Sequence, residues 1–396
     1  MRRSYKFLLR PTSRQVAALE ACLEDHRQLY NAALEERREA WRMRKVSVLY
    51  NAQDLQLKFV RYGDPDGQGR WSYCSQQATL RRLDRAFAGF FRRVKAGEAP
   101  GYPRFKSPWR FNSVTWRELD GARWDATPHD QGTTRVRLQG IGCIRVNQHR
   151  AVRGRVKTIT VKREGKRWYV MLSCDGVPAE PLPTTGATVG IDMGLTHFLT
   201  TSGGEHVTNP RPRAGSAGRI ADAQRALFTQ KPRSMRRRKA AAKVAGLHAK
   251  VRRQRLDHAH KTALTLVRDH DVIVHEALRI SNMTRRPDPR LADDGTYESN
   301  GASAKAGLNK SIKDAGWGVF LAILRAKAES AGRAVVAVNP ANTSRRCAQC
   351  GHVAAGNRVN QAEFRCLACG HQANADVNAA INILRAGLAL QAAQAA

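Results

Sequence analysis

Apolar and polar residues follow two different periods along the chain. Apolar positions recur with helical spacing over 15–43 and again over 75–94, whereas the alternation at 3–9 predicts a short strand. Thr12 or Ser13 can cap the first of these helices. From 112 to 175 the pattern becomes that of short strands. The N-terminal part of the chain is therefore predicted to combine long helices with a small antiparallel sheet.

The pattern changes again after a proline-rich linker at 181–186. Two apolar stretches read as buried strands that carry a carboxylate at or near the end, Asp192 in the first and Glu276 in the second. Two long basic helices are predicted between them, over 211–269, and another strand at 334–338. Strands that alternate with helices predict an α/β domain in this half of the chain.

Two local predictions concern segments whose pattern is less regular. The polar, glycine-rich stretch 284–309 is predicted to be a surface loop, with another helix beginning in 311–318. Trp41 and Trp71 are interpreted as core residues, in preference to platforms on which nucleic-acid bases stack, because their spacing fits a buried helix face.

The net charge of the chain indicates its kind of partner, which its length does not. The 396 residues include 68 Lys and Arg against 33 Asp and Glu, which gives a formal charge of +35. Such an excess indicates a polyanionic partner, and a hydrophobic content of 42% indicates real cores. No secretory signal or membrane-length apolar run is visible, so a prokaryotic, reducing cytoplasm is predicted.

The positive charge is concentrated in two segments. Within 231–255 few acids balance the cations, which favours phosphate contact over a merely solvated charged face. The basic loop 95–106 is predicted to lie on nucleic acid as well. The candidate nucleic-acid-binding residues are Arg236, Arg237, Arg238, Lys250, Arg252, Arg253, Arg104 and Lys106.

Four cysteines near the C-terminus have the spacing of a zinc site. Two Cys-x2-Cys pairs are separated by fifteen residues, and each pair runs into a Gly-His dipeptide. Four thiolates complete a tetrahedral Zn²⁺ shell, so His352 and His371 are expected to stay outside it. The alternative is two unrelated clusters of reduced thiols. The predicted ligands are Cys347, Cys350, Cys366 and Cys369.

Three carboxylates stand out as candidates for metal chemistry. Asp192 and Glu276 belong to predicted strands, and Asp376 follows the second cysteine pair at the start of a short apolar helix. Phosphodiester hydrolysis with two divalent ions needs about three such groups, and hard oxygen ligands favour Mg²⁺ or Mn²⁺. Spacing alone leaves open whether the three residues meet.

Together these segments resemble the TnpB family, transposon-encoded RNA-guided nucleases akin to the miniature type V CRISPR effectors. The resemblance spans nearly the whole chain in family order, in the segments LLRPTSRQ, LYNAAL, FFRRVKAGEAPGYPRFK, VGIDMGL, VIVHEAL, DAGWGVF, TSRRCAQCGH and CLACGHQANADVNAAINIL. One departure concerns Asn374-Ala375-Asp376, where many relatives have Asp-Arg-Asp. It removes a possible auxiliary ligand and leaves the aligned Asp376 intact.

The resemblance implies a multidomain α+β and α/β fold. An OB-like wedge β-barrel is expected at 1–11 and 111–180, and a helical recognition domain at 12–110. An RNase H-like (RuvC) nuclease domain is expected at 186–342 and 371–396, with a four-cysteine zinc ribbon inserted at 343–370. By the same resemblance, Asp192, Glu276 and Asp376 align with the catalytic acids, and the four cysteines with the zinc ligands.

The implied function is that of an RNA-guided DNA endonuclease. A noncoding guide RNA would select double-stranded target DNA, the protein would read a short flanking motif, and two Mg²⁺ or Mn²⁺ ions would support cleavage. Association with the nucleoid, as a monomer or as a dimer on one RNA, is expected. The alternatives are a nuclease-inactive RNA-guided DNA-binding repressor and a DDE-type transposase.

Overall fold

The fold is described from a computed structural model. It describes residues 1–125, 133–293 and 295–395. Residues 126–132 of the predicted wedge segment, 294 of the predicted surface loop and 396 of the predicted nuclease segment therefore lie outside the described residues. The chain divides into two compact units, Met1–Pro178 and Ala179–Ala396. The boundary falls just before the proline-rich linker.

The first unit contains a closed seven-stranded barrel, which confirms the predicted small sheet. Buried and exposed residues alternate along its strands, so one side of each strand fills the interior. The strand order around the barrel is β1-β5-β4-β3-β2-β6-β7. The strands are β1 (Arg3–Arg10), β2 (Ser113–Glu118), β3 (Gly121–Asp125), β4 (Arg135–Leu138), β5 (Gly142–Asn147), β6 (Arg155–Glu164) and β7 (Arg167–Asp175).

Three α-helices accompany the barrel in this unit: α1 (Ser13–Arg44), α2 (Tyr50–Gly63) and α3 (Tyr73–Lys95). The first and third were predicted, and Thr12 caps α1 in a reciprocal pair of hydrogen bonds with Gln15. The sequence pattern missed α2, because only two of its residues are buried. The core interpretation is confirmed for Trp71, which is 1% exposed, and wrong for Trp41, which is 53% exposed near the end of α1.

The second unit is built on a five-stranded sheet in the order β10-β9-β8-β11-β12. The three strands β8, β11 and β12 are parallel, and β9 and β10 are antiparallel to their neighbours. This confirms the predicted α/β organisation. The strands are β8 (Thr188–Asp192), β9 (His197–Thr201), β10 (His206–Thr208), β11 (Val272–Glu276) and β12 (Ala334–Val338).

Helices pack on the sheet, with an apolar core around Phe198, Ile273 and Phe320. A small two-stranded sheet brackets the second cysteine pair, with one strand before the pair and the other between the pair and the last helix. The elements are α4 (Ala217–Phe228), α5 (Met235–Asp269), α6 (Ile280–Met283), α7 (Ala302–Ala315), α8 (Trp317–Ala331), β13 (Glu363–Arg365), β14 (Gln372–Asn374) and α9 (Ala375–Ala395).

Two boundaries differ from the prediction in this unit. Among the described residues, the loop predicted over 284–309 ends at 301, because α7 begins at Ala302. The alanine-rich start of α7 favours helix despite its polar neighbours. A helix does begin within 311–318, as predicted, but only at Trp317, because 311–315 form the end of α7. Gly316 has a φ of 76°, a left-handed conformation that ends α7 and lets α8 begin in a new direction.

Glycines let α9 lie directly against the sheet. A Cβ atom on Gly190 of β8 would lie 2.1 Å from the Ala380 carbonyl oxygen of α9, and one on Gly387 would lie 2.4 Å from Val274 of β11. Such close approach of helix and strand backbones is possible only without a side chain. The helix axis is therefore fixed over β8 and β11, and with it the position of the first turn of α9.

Candidate active site

Two of the three predicted acids lie at the same edge of the sheet. Asp192 ends β8 and Glu276 ends β11. The strands are parallel neighbours, and Ile191 pairs with His275, so the next pair in register is Asp192 with Glu276. Adjacent strands are about 4.8 Å apart. The carboxyl ends of parallel strands, where α/β sheets bind ligands, thus carry both carboxylates.

The third acid reaches this edge from the first turn of α9. Asp376 is the second residue of the helix, and Asn374 caps it by accepting hydrogen bonds from the Asp376 and Val377 amides at 3.0 and 3.2 Å. Asn is among the best capping residues. Asn374, where many relatives have an aspartate, therefore has a structural role, because its side chain fixes the start of α9.

The charges of Glu276 and Asp376 both act on Asp192. Burial raises the pKa of Asp192 to about 7, with further increases from the charges of Glu276 and Asp376 and an opposing effect of Arg358. Burial also raises the pKa of Glu276, against a hydrogen bond from Thr343 that lowers it. Neighbouring like charges and desolvation are the conditions that a bound cation relieves.

Two residues of this site were missed by sequence reasoning. The Arg358 guanidinium lies 3.2 Å from an Asp376 carboxylate oxygen, and the Thr343 hydroxyl donates to Glu276. Arg358 belongs to the segment between the cysteine pairs, and nothing in the sequence distinguishes it from the other arginines nearby. Thr343 lies at the start of the TSRRC segment, whose proximity to the sheet edge depends on the tertiary fold.

The four predicted cysteines come together as a cluster that could hold a metal ion. Their sulfur atoms all lie within 4.8 Å of one another. The Cys347–Cys369 and Cys350–Cys366 sulfur pairs are 3.7 and 3.6 Å apart. Tetrahedral sulfurs at 2.3 Å from Zn²⁺ would be about 3.8 Å apart, so the spacing fits such an ion.

Each cysteine pair forms a tight turn around this cluster. The Gly351 and Gly370 amides donate to the Cys347 and Cys366 carbonyls, and both glycines have positive φ, 79° and 74°. In the part of the chain that the structure describes, no other group of three or more His, Cys, Asp or Glu ligand atoms is as close together. The three carboxylates converge on one edge but are more widely spaced than the sulfurs.

The predicted phosphate-contacting residues differ in their solvent exposure and in whether they already bind other groups of the protein. In the first unit, Arg104 is exposed, whereas Lys106 is half-buried with its Nζ atom 5.5 Å from the Tyr30 ring. In the second unit, Arg237 donates to the Leu227 and Gln230 carbonyls, at 3.1 and 3.0 Å, around the end of α4. The remaining candidates are exposed along α5: Arg236, Arg238, Lys250, Arg252 and Arg253.

A second basic surface, on the outside of the barrel, was not singled out from the sequence. Arg10, Arg145 and Arg135 stand directly opposite one another on β1, β5 and β4, and Arg137 pairs with Arg123 on β3. All five are exposed, and none forms an ion pair within the described ranges. A groove of about 470 Å³ is lined by Arg10 and Arg145. Like charges opposite one another destabilise a sheet, so this arginine ladder indicates an anionic ligand.

Family profiles match three parts of the chain. Residues 1–45 match one described as a helix-turn-helix domain, 158–286 one described as "Probable transposase", and 317–383 one described as Cas12f1-like, TNB domain. Within 1–45 the structure has β1 followed by one continuous helix, α1, and no helix-turn-helix.

Related proteins extend the similarity to the full length. The chain is 32% identical to InsQ of Escherichia coli K12, named as a candidate RNA-guided DNA endonuclease, over 98% of this chain and 93% of that protein. It is also 32% identical to a protein of the same description from Streptomyces pristinaespiralis, over 99% and 91%. A local match of 56% over 57 residues, 14% of each chain, relates it to the CRISPR-associated endodeoxyribonuclease Cas12f1 of Sulfoacidibacillus thermotolerans.

Among solved structures, Cas12f1 in a complex with guide RNA and target DNA has a TM-score of 0.60 at 14% identity, covering 93% of this chain and 82% of that one. The barrel, the carboxylate-edged sheet and the four-cysteine cluster thus define a multidomain α+β protein with a Cas12f-like fold. By its full-length similarity to InsQ, the chain belongs to the TnpB family. No helix among the described residues is long and apolar enough to cross a membrane.

Proposed function

We propose that the protein is an RNA-guided DNA endonuclease that cleaves guide-matched DNA by metal-dependent phosphodiester hydrolysis. The observation that carries the proposal is the convergence of Asp192, Glu276 and Asp376 on one sheet edge. Arg358 pairs with Asp376 there, and the charges of Glu276 and Asp376 disfavour the ionised form of Asp192, which favours binding of cations. The names of the full-length relatives support the same activity.

The three acids would hold two Mg²⁺ or Mn²⁺ ions, because carboxylate oxygens are the ligands these ions prefer. When bound, such ions activate water and stabilise the leaving oxygen. The charges of both other acids act on Asp192, so Asp192 would share in holding the ions with Glu276 and Asp376. Arg358, paired with Asp376, would offer a positive group to the scissile phosphate. The four cysteines would hold a structural Zn²⁺ ion.

Nucleic acid would contact the exposed cations of both units. We assign guide-RNA contacts to the arginine ladder and to the exposed residues of α5, and propose the wedge, recognition, nuclease and ribbon boundaries given by the resemblance. Base pairing with the guide would select the DNA, and the protein would read a short flanking motif. The protein would act at the nucleoid, as a monomer or as a dimer on one RNA.

The test begins with sequencing of RNA that copurifies with the protein expressed from its own locus. A discrete structured RNA ending in a variable segment is expected, and a plasmid carrying the matching sequence should be cut in Mg²⁺. Asp192→Ala should abolish cutting while RNA binding persists, whereas Asp269→Ala, an exposed acid at the end of α5, should leave both unchanged.

Three results would contradict this assignment. RNA-independent strand transfer would indicate a transposase. Guided DNA binding without cleavage by the unaltered protein would indicate a repressor. Cleavage retained by Asp192→Ala would remove the three acids from the chemistry.

A further inference from the structure

The Glu276 carboxylate is held by a residue from the cysteine-bearing segment. The Thr343 hydroxyl donates to Glu276 Oε1 at 2.5 Å, and the Pro340 carbonyl lies 3.0 Å from the same hydroxyl. A hydroxyl has one proton, and a charged acceptor makes the stronger hydrogen bond. The proton is therefore directed to Glu276, which leaves Oε2 as the oxygen free of this contact.

Thr343 is itself fixed by the helix that carries the third acid. Asn382 of α9 donates to the Thr343 and Arg346 carbonyls at 3.0 and 2.6 Å. Asn378, one turn earlier, donates to the Arg346 carbonyl and accepts from the Ala348 amide, both at 2.8 Å. Both asparagine side chains are buried, and residues four apart share a helix face.

These contacts form one connected network. Asp376 begins α9, Asn382 of α9 holds the turn that contains Thr343, and Thr343 holds Glu276. Cys347 follows Thr343 by four residues, so the cysteine cluster is joined to the same turn. The spacing of Asp376 and Glu276 is thereby set by side-chain hydrogen bonds in addition to the packing of α9 on the sheet.

We propose that Thr343, held by Asn382, is a positioning residue that fixes Oε1 of Glu276 and leaves Oε2 free for the metal ion that the acids would hold, while Asn378 holds the residues that follow the turn. This inference rests on the proposed function and deepens it. Without the hydroxyl, the carboxylate can rotate or chelate through both oxygens, and the geometry shared with Asp376 is lost.

The test is a double-mutant cycle on the full-length protein with Thr343→Val and Glu276→Gln. Binding of Mn²⁺ is followed by electron paramagnetic resonance, and Glu276→Gln defines which Mn²⁺ sites depend on the acid. Thr343→Val should weaken the Glu276-dependent site about tenfold, as expected for loss of a hydrogen bond to a charged group. In the Glu276→Gln background the same change should have no further effect.

Two measurements separate positioning from folding. Thr343→Ser keeps the hydroxyl and should bind Mn²⁺ within about twofold of the unaltered protein, and the zinc content of every variant should stay the same. Unchanged Mn²⁺ affinity in Thr343→Val, an equal loss in the Glu276→Gln background, or loss of zinc from Thr343→Val would each overturn the inference. Absence of any acid-dependent Mn²⁺ site in the unaltered protein would instead refute the proposed function.

Discussion

Replacing Asp192 by asparagine is expected to stabilise the protein while it abolishes metal binding. The side chain keeps its shape and loses its charge. In the absence of divalent cations that charge is unfavourable, because burial and the neighbouring acids raise the pKa of Asp192 from 3.8 to about 7. The folded state therefore binds the Asp192 proton more tightly than the unfolded state does.

The sign and size of the effect follow from this difference. A carboxyl with a raised pKa in the folded state favours folding at low pH and opposes it progressively as the pH rises from about 4 to about 7. One pKa unit corresponds to about 1.4 kcal/mol, so the opposing contribution reaches about 4 kcal/mol above pH 7 and is about 2 kcal/mol at pH 5. Asp192→Asn removes it, and its gain should be about 2–3 kcal/mol larger at pH 8 than at pH 5.

Thermal unfolding of the zinc-loaded, Mg²⁺-free protein measures this gain. For a unit of roughly 200 residues, 1 kcal/mol shifts Tm by about 2–4 °C, so an increase of several degrees at pH 8 is expected. Mg²⁺ should then raise Tm of the unaltered protein and not of the variant. Asp269→Asn, at an exposed position, is the matched control. An equal Tm gain at both pH values, or none at pH 8, would refute the electrostatic reasoning.

Three further predictions concern the cysteine cluster, the helix over the sheet and the barrel surface. Cys350→Ser should lower the zinc content measured by elemental analysis and with it Mg²⁺-dependent cleavage, because the cluster is joined to the turn that positions the acids. Gly190→Ala should lower stability in denaturant titration by about 1–3 kcal/mol or more, since its Cβ atom would collide with the Ala380 carbonyl. Arg145→Ala should weaken RNA binding. The slope of the logarithm of the binding constant against the logarithm of the salt concentration should become shallower, by the amount expected for the loss of about one phosphate contact.

Each of these changes has a control in the same chain. Cys143→Ser alters an exposed cysteine outside the cluster and should retain zinc. Gly246→Ala, on α5 with open space around its Cβ position, should stabilise slightly. Arg42→Ala alters an exposed arginine already paired with Glu39. Equal effects of a change and its control would contradict the corresponding explanation.

The acids and cysteines could be predicted because their positions follow from local patterns. An apolar strand ending in a carboxylate, as at Asp192, and two Cys-x2-Cys pairs carry their geometry in the sequence. The roles of Thr343 and Arg358 could not be predicted, because both depend on how the segment before β13 folds back onto the sheet edge. Arg237 shows the reverse case, since a residue that looks like a phosphate contact caps a helix instead.

Helix capping explains why asparagine can replace an acid at position 374. Its side chain accepts the Asp376 and Val377 amides, and its replacement by alanine should cost about 1 kcal/mol of stability and loosen Asp376. Asn374→Asp keeps the acceptor and adds a negative charge at the helix N-terminus, which favours it. The added charge would lie two residues from Asp376, so Asn374→Asp should reach half-maximal cleavage at a lower Mg²⁺ concentration, whereas Asn374→Ala should need more. If Asn374→Asp needed more Mg²⁺ at unchanged stability, the residue would have to contribute its amide group to the site, and capping would be insufficient to account for it.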